Sequence, residues 1–85
     1  MDINKIVRYL VIRTDTNTND SLVIGCYYGV EMALGFINDY INEHFTDNHH
    51  QRLHESKNSI AVYKYGKLYG KSLVCKLQIL EYNEI

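Results

Sequence analysis

The last third of the chain constrains its fold most. Two runs rich in β-branched and aromatic residues, Ile60-Ala-Val-Tyr-Lys-Tyr65 and Ser72-Leu-Val-Cys-Lys-Leu-Gln-Ile-Leu-Glu-Tyr82, flank Gly66-Lys-Leu-Tyr-Gly70. Such runs favour pleated backbone, and glycine supplies the positive φ of a tight reversal, so the segment is expected to be a β-hairpin. With 85 residues the chain is expected to make one domain, residues 1–85. A domain of that size buries roughly 60 to 65% of the surface its unfolded chain exposes. Most apolar side chains are then needed for the core, and a deep active-site cavity is not expected.

Upstream, Ile6, Arg8, Leu10 and Ile12 alternate with Val7, Tyr9, Val11 and Arg13. The pattern predicts a strand over 5–14, covered on much of both faces and hence central. Asp15-Thr-Asn-Thr-Asn-Asp20 is a turn whose short polar side chains bond their own backbone, and a second strand follows over 22–27. A helix is predicted from Tyr28 or Gly29 to about Phe45. Val30, Ala33, Leu34, Ile37, Ile41 and Phe45 fall within about 120° of arc on it, the stripe that faces a sheet. The polar stretch from Thr46 to Asn58 is expected to be a connector and the most mobile part. The expected fold is therefore α+β, a single helix packed on a four-stranded, mainly antiparallel sheet of ββαββ order and β-grasp-like form.

Two apolar excesses remain. Met32, Phe36 and Tyr40 repeat at i, i+4, i+8 beside the main helical stripe, either sinking into a curved sheet or offering a surface to another chain. In the final strand Leu73, Cys75, Leu77 and Ile79 form the inward face, and Val74, Lys76, Gln78, Leu80 and Tyr82 the mixed outer one. From Ser72 to Tyr82 that strand spans roughly 35 Å, against about 25 Å for the helix meant to cover it. Part of it is expected to project, satisfied in its own sheet or open to edge pairing by another polypeptide. Met32, Phe36, Tyr40, Leu80 and Tyr82 are the candidate protein-contact residues.

Net charge is −1, so no global field recruits nucleic acid or an anionic membrane. Tyr63, Lys64, Tyr65, Lys67, Tyr69 and Lys71 nevertheless interleave aromatic rings with cations, the pairing that single-stranded nucleic acid needs. The same pattern also suits strand tyrosines with lysines guarding an edge. His49, His50 and His54 lie near His44, Asp47 and Glu55, and the His50–His54 spacing could hold zinc on a helical turn. No glutamate follows the first of that pair and no cysteine is close, so the cluster reads as a solvated loop and no metal is assigned. Cys26 and Cys75 are expected to be buried and reduced. No nucleophile elbow, Walker-type loop or glycine fingerprint is present, so the chain is expected to be non-enzymatic and without a cofactor. The N-terminal run reads as neither a signal peptide nor a membrane span, which predicts no membrane contact and a cytoplasmic or nuclear compartment.

The strand Tyr9-Leu-Val-Ile-Arg13 with its polar turn, Val23-Ile-Gly-Cys-Tyr-Tyr28 running into Gly29-Val-Glu-Met-Ala-Leu34, and the final Leu77-Gln-Ile-Leu-Glu-Tyr82 resemble small uncharacterised accessory proteins of large DNA viruses and bacteriophages. Absence of Pro and Trp and abundance of Ile, Asn, Lys and Tyr are similar to proteins of AT-rich viral genomes. The resemblance covers most of the chain and carries no site residue across. It implies action by binding, in a virion or against a host component. The expected function is a small protein-interaction or assembly module that self-associates as a homo-oligomer. The alternative is a nucleic-acid-binding accessory protein using the C-terminal hairpin.

Overall fold

A computed structural model describes residues 6–46, 49–66 and 70–84. Strands β1 (Ile6–Asp15) and β2 (Ser21–Tyr27) form a hairpin, closed by Asn19 at φ 58° and by the Asn19 amide donating to the Asp15 carbonyl. Helix α1 (Val30–His44) follows, then β3 (His50–Ser56), β4 (Ser59–Gly66) and β5 (Gly70–Glu84). The strands make one five-stranded sheet of order β2-β1-β5-β4-β3, with every pairing antiparallel. Gly70 has φ 70°, the conformation for which glycine was expected in this reversal, while Lys67, Leu68 and Tyr69 lie outside the described residues.

The four-stranded, ββαββ expectation is corrected by β3, which occupies residues read as a connector. His50-Gln-Arg-Leu-His-Glu-Ser56 has no apolar alternation because β3 is an edge strand. Backbone pairing with β4 holds it, and Arg52 donates to Asn38 and Asn42 of the helix above. The added strand also changes the topology. With four strands the last would run parallel to the first, as in a β-grasp, whereas one more reversal makes β5 antiparallel to β1.

The helix lies on one face of the sheet, and the core is the layer between them. Ala33, Ile37 and Ile41 meet Val11, Ile60, Val62, Cys75, Leu77 and Ile79, all at most 8% exposed, with Val30, Leu34 and Phe45 packed against them. The predicted helical stripe is thus the buried one. Fully burying a residue such as Leu77 stabilises by about 1.5 to 3 kcal/mol. Two bulges adjust the strands. One at Ile24 and one at Val74 turn an extra side chain onto the helix face. The second corrects the reading of Leu73 as inward. Beyond Val74 the alternation of β5 is inverted, so Leu73 pairs with Tyr63 on the opposite face.

The molecule is elongated, 60 × 23 × 19 Å, with a radius of gyration of 14.9 Å. A compact chain of this length would give about 12 Å. The cause is β5, whose 15 residues extend for roughly 50 Å at 3.3 Å each, past the helix at both ends.

Candidate interaction site

The free surface of greatest consequence is where β4 stops and β5 continues. Ser59 pairs with Gln78, the Ile79 amide donates to the Asn58 carbonyl at 2.9 Å, and the chain then turns away through Asn58 toward β3. On its other side β5 stays paired with β1 as far as Ile6↔Glu84. Residues of an antiparallel strand point their N–H and C=O groups alternately to the two sides. Since Ile79 points toward β4, Glu81 and Asn83 do too, and among the described residues no strand lies there. Leu80 and Tyr82 point their backbone groups to β1.

The side chains of this overhang alternate likewise. Leu80 and Tyr82 stand on the sheet face opposite the helix, 51% and 50% exposed. Cross-strand neighbours extend the patch: Leu10 lies beside Leu80 and Arg8 beside Tyr82, with the Arg8 guanidinium 4.8 Å from the Tyr28 ring. At the step itself a cleft of about 440 Å3 is lined by Ile12, the turn residues Ser56, Asn58 and Ser59, and Gln78 and Leu80. An antiparallel sheet tolerates one solvated face, but this one presents aliphatic side chains at its centre rather than the polar alternation such faces usually carry.

The helical candidates lie elsewhere. Phe36 packs against Tyr27 of β2 at 5.4 Å between ring centroids and Tyr40 follows at 5.9 Å, with His44 stacked on Tyr40 at 4.0 Å. Gly25 lies under this ladder, where an added Cβ would stand 3.2 Å from the Phe36 ring. Phe36 and Tyr40 are half-buried against the core, and Met32, one turn earlier, is 60% exposed. The Tyr40 hydroxyl accepts a hydrogen bond from Arg13 Nη1 at 2.6 Å, while Arg13 Nε binds Asp15 at 2.8 Å. Burial opposes the Arg13 charge, but those two hydrogen bonds outweigh it and hold the guanidinium above its usual pKa. The structure therefore does not bring the five candidates into one surface. Met32, Phe36 and Tyr40 are on the helix side toward β2, and Leu80 and Tyr82 are on the far face.

The tyrosine and lysine set of the hairpin is divided as well. Tyr63, Tyr65 and Lys71 share the open face, Lys64 points to the helix side, and Lys67 and Tyr69 lie outside the described residues. Lys71 Nζ stands 4.3 Å from the centre of the Tyr63 ring, and the Tyr65 hydroxyl donates to Gln51. One face of Tyr63 is thus already covered by an intramolecular cation. The histidine spacing read as a helical turn is corrected: His50 and His54 lie on β3, where four residues span about 13 Å. Among the described residues no group of three or more His, Cys, Asp or Glu is placed to hold a metal ion, and no helix is long and apolar enough to cross a membrane. Cys75 is fully buried as expected, whereas Cys26 is exposed on the open face beside Leu10.

The sequence reading expects part of this strand to project, open to edge pairing, but names Leu80 and Tyr82 and misses that the outward main-chain groups are those of Glu81 and Asn83. The signal for them was the unequal length of the two runs of the hairpin, the second far longer than the first. Compared with family models, curated proteins and solved structures, the chain has no match.

Proposed function

We propose that the protein is a small interaction and assembly module that works by strand addition at the free edge of β5, with self-association as its mode. The carrying observation is that, among the described residues, Leu80–Glu84 is paired on the β1 side only, while its side chains Leu80 and Tyr82 are half exposed beside Leu10. Main-chain groups of Glu81 and Asn83 supply hydrogen bonds to an incoming strand, and alternate side chains supply apolar contact, the division of labour in β-augmentation. A virion component or accessory protein of a large DNA virus or bacteriophage is the setting proposed for such a module, in keeping with the composition.

Amide hydrogen exchange tests the reading directly. The amides of Glu81 and Asn83 are expected to exchange quickly in dilute solution and to slow by about tenfold as concentration rises, because association withdraws them from water. Those of Leu80 and Tyr82 stay slow throughout. Exchange at Glu81 and Asn83 that stays fast at every concentration rules the reading out.

A further inference from the structure

We propose that the strand added at this edge is Leu80–Glu84 of a second copy, paired antiparallel about a two-fold axis at Tyr82. The inference rests on the reading above and names its partner and register.

Three registers keep the outward-facing residues opposite one another, as antiparallel hydrogen bonding requires. Centring on Glu81 sets Glu81 against Glu81 of the partner copy, a like-charge pair across the strands. It also drives the partner's Asn83 opposite Ile79, where the Asn58 carbonyl already occupies the amide. Centring on Asn83 leaves a shorter overlap, since β5 ends at Glu84. Centring on Tyr82 sets Glu81 opposite Asn83 twice, forming four main-chain hydrogen bonds with no like-charge pair. It ends the partner's strand opposite Leu80, one residue short of the β3–β4 turn and beside the cleft at the step. The overhang thus matches its own length in one register.

The rest of the sheet supports this edge as the one used. β2 carries a bulge at Ile24, and β3 carries an irregularity next to Glu55 and is tied to the helix through Arg52. Bulges and charged side chains are the usual protection of an edge. Leu80–Glu84 keeps an unbroken register with β1 and contains neither lysine nor proline; its charges are Glu81 and Glu84, and centring on Tyr82 sets neither of them opposite another glutamate. On the open face the pairing sets Tyr82 against Tyr82 of the second copy, extending the row Tyr28, Arg8, Tyr82 across the dimer. Five residues a side is a small contact, which puts the dimer in the weak, transient class.

The test uses the full chain with Cys26→Ser, so that the exposed native thiol does not interfere. Tyr82→Cys places two sulfurs at a non-hydrogen-bonded pair about 4.5 Å apart at Cα, within disulfide reach. Glu81→Cys or Asn83→Cys alone places them diagonally at about 7 Å or more, out of reach. Under oxidised glutathione Tyr82→Cys is expected to form covalent dimer at least about tenfold faster than either control. A mixture of Glu81→Cys with Asn83→Cys is expected to form the mixed dimer, testing the register without altering Tyr82. Light scattering on the parent accompanies these. A dimeric mass without the Tyr82 or mixed cross-link overturns this pairing and leaves assembly by another surface. A monomeric mass from about 10 μM to about 1 mM overturns both, since even a weak contact is populated there.

Discussion

The amide of Ile79 donates to the carbonyl of Asn58 at 2.9 Å, and β4 begins with the next residue, Ser59. This contact divides β5 into a part buried between two strands and a part with one neighbour. Side-chain chemistry changes with it on the helix face, where buried Cys75, Leu77 and Ile79 give way to exposed Glu81 and Asn83, while Leu80 carries the aliphatic run onto the open face.

Proline separates the two sides of that strand. Glu81→Pro removes an outward N–H and is expected to leave the fold intact, with stability changed by less than about 1 kcal/mol, because proline is tolerated where the N–H faces solvent. The same variant should remain monomeric at concentrations where the parent associates. Tyr82→Pro removes an N–H pointing to β1 and is expected to cost about 2 kcal/mol or more. Urea denaturation alongside light scattering reads both.

Packing sets a second contrast. Ile37→Ala and Leu77→Ala each empty a fully buried position and are expected to cost about 2 to 5 kcal/mol in thermal or chemical unfolding. Leu34→Ala should cost less, since Leu34 is only partly buried. Tyr40→Phe keeps the ring and deletes the hydroxyl that receives Arg13, for an expected loss of about 1 to 3 kcal/mol. Tyr40→Glu, which a helix-borne dimer would make a clean test of association, should instead unfold the domain because Tyr40 packs on the core.

The two thiols should differ in reactivity. A disulfide reagent is expected to modify Cys26 at once and Cys75 only as the protein opens. Burial pushes the Cys75 thiol up, with Asp15 adding to the shift and Arg13 opposing it. A group raised in the folded state favours folding while protonated, so its contribution is full below the unfolded value of about 8.5 and is lost as pH rises through the higher folded value. Unfolding of the parent and of Cys75→Ala followed above pH 8.5 checks the sign: the parent should lose more stability with rising pH than the variant.

Single-stranded oligonucleotide should not bind detectably below about 100 μM at physiological salt. Few lysines are available to neutralise phosphates, and a single strand returns only about −0.7 in logarithmic salt slope per contact. Lys71 moreover covers one face of Tyr63. Tight binding in a fluorescence titration, steep in salt and lost in Lys71→Glu, would reverse this expectation.

Local periodicity determined much of the fold. The hairpin glycines, the alternation of β1 and the helical stripe through Ala33, Ile37 and Ile41 are patterns whose period matches the backbone that buries them, so each element was legible before its neighbours were known. The long final run also announced a strand that outruns the helix covering it. Tertiary structure alone decided the rest. β3 has no pattern of its own because pairing with β4, rather than burial of a face, makes it a strand. The bulges at Ile24 and Val74 depend on register, which no single strand encodes. Met32, Phe36 and Tyr40 parted from Leu80 and Tyr82 because a sheet has two faces and the helix covers one. The open groups at Glu81 and Asn83 belong to the main chain, which is chemically the same at almost every residue, so only the position of the neighbouring strands leaves them without a strand partner among the described residues.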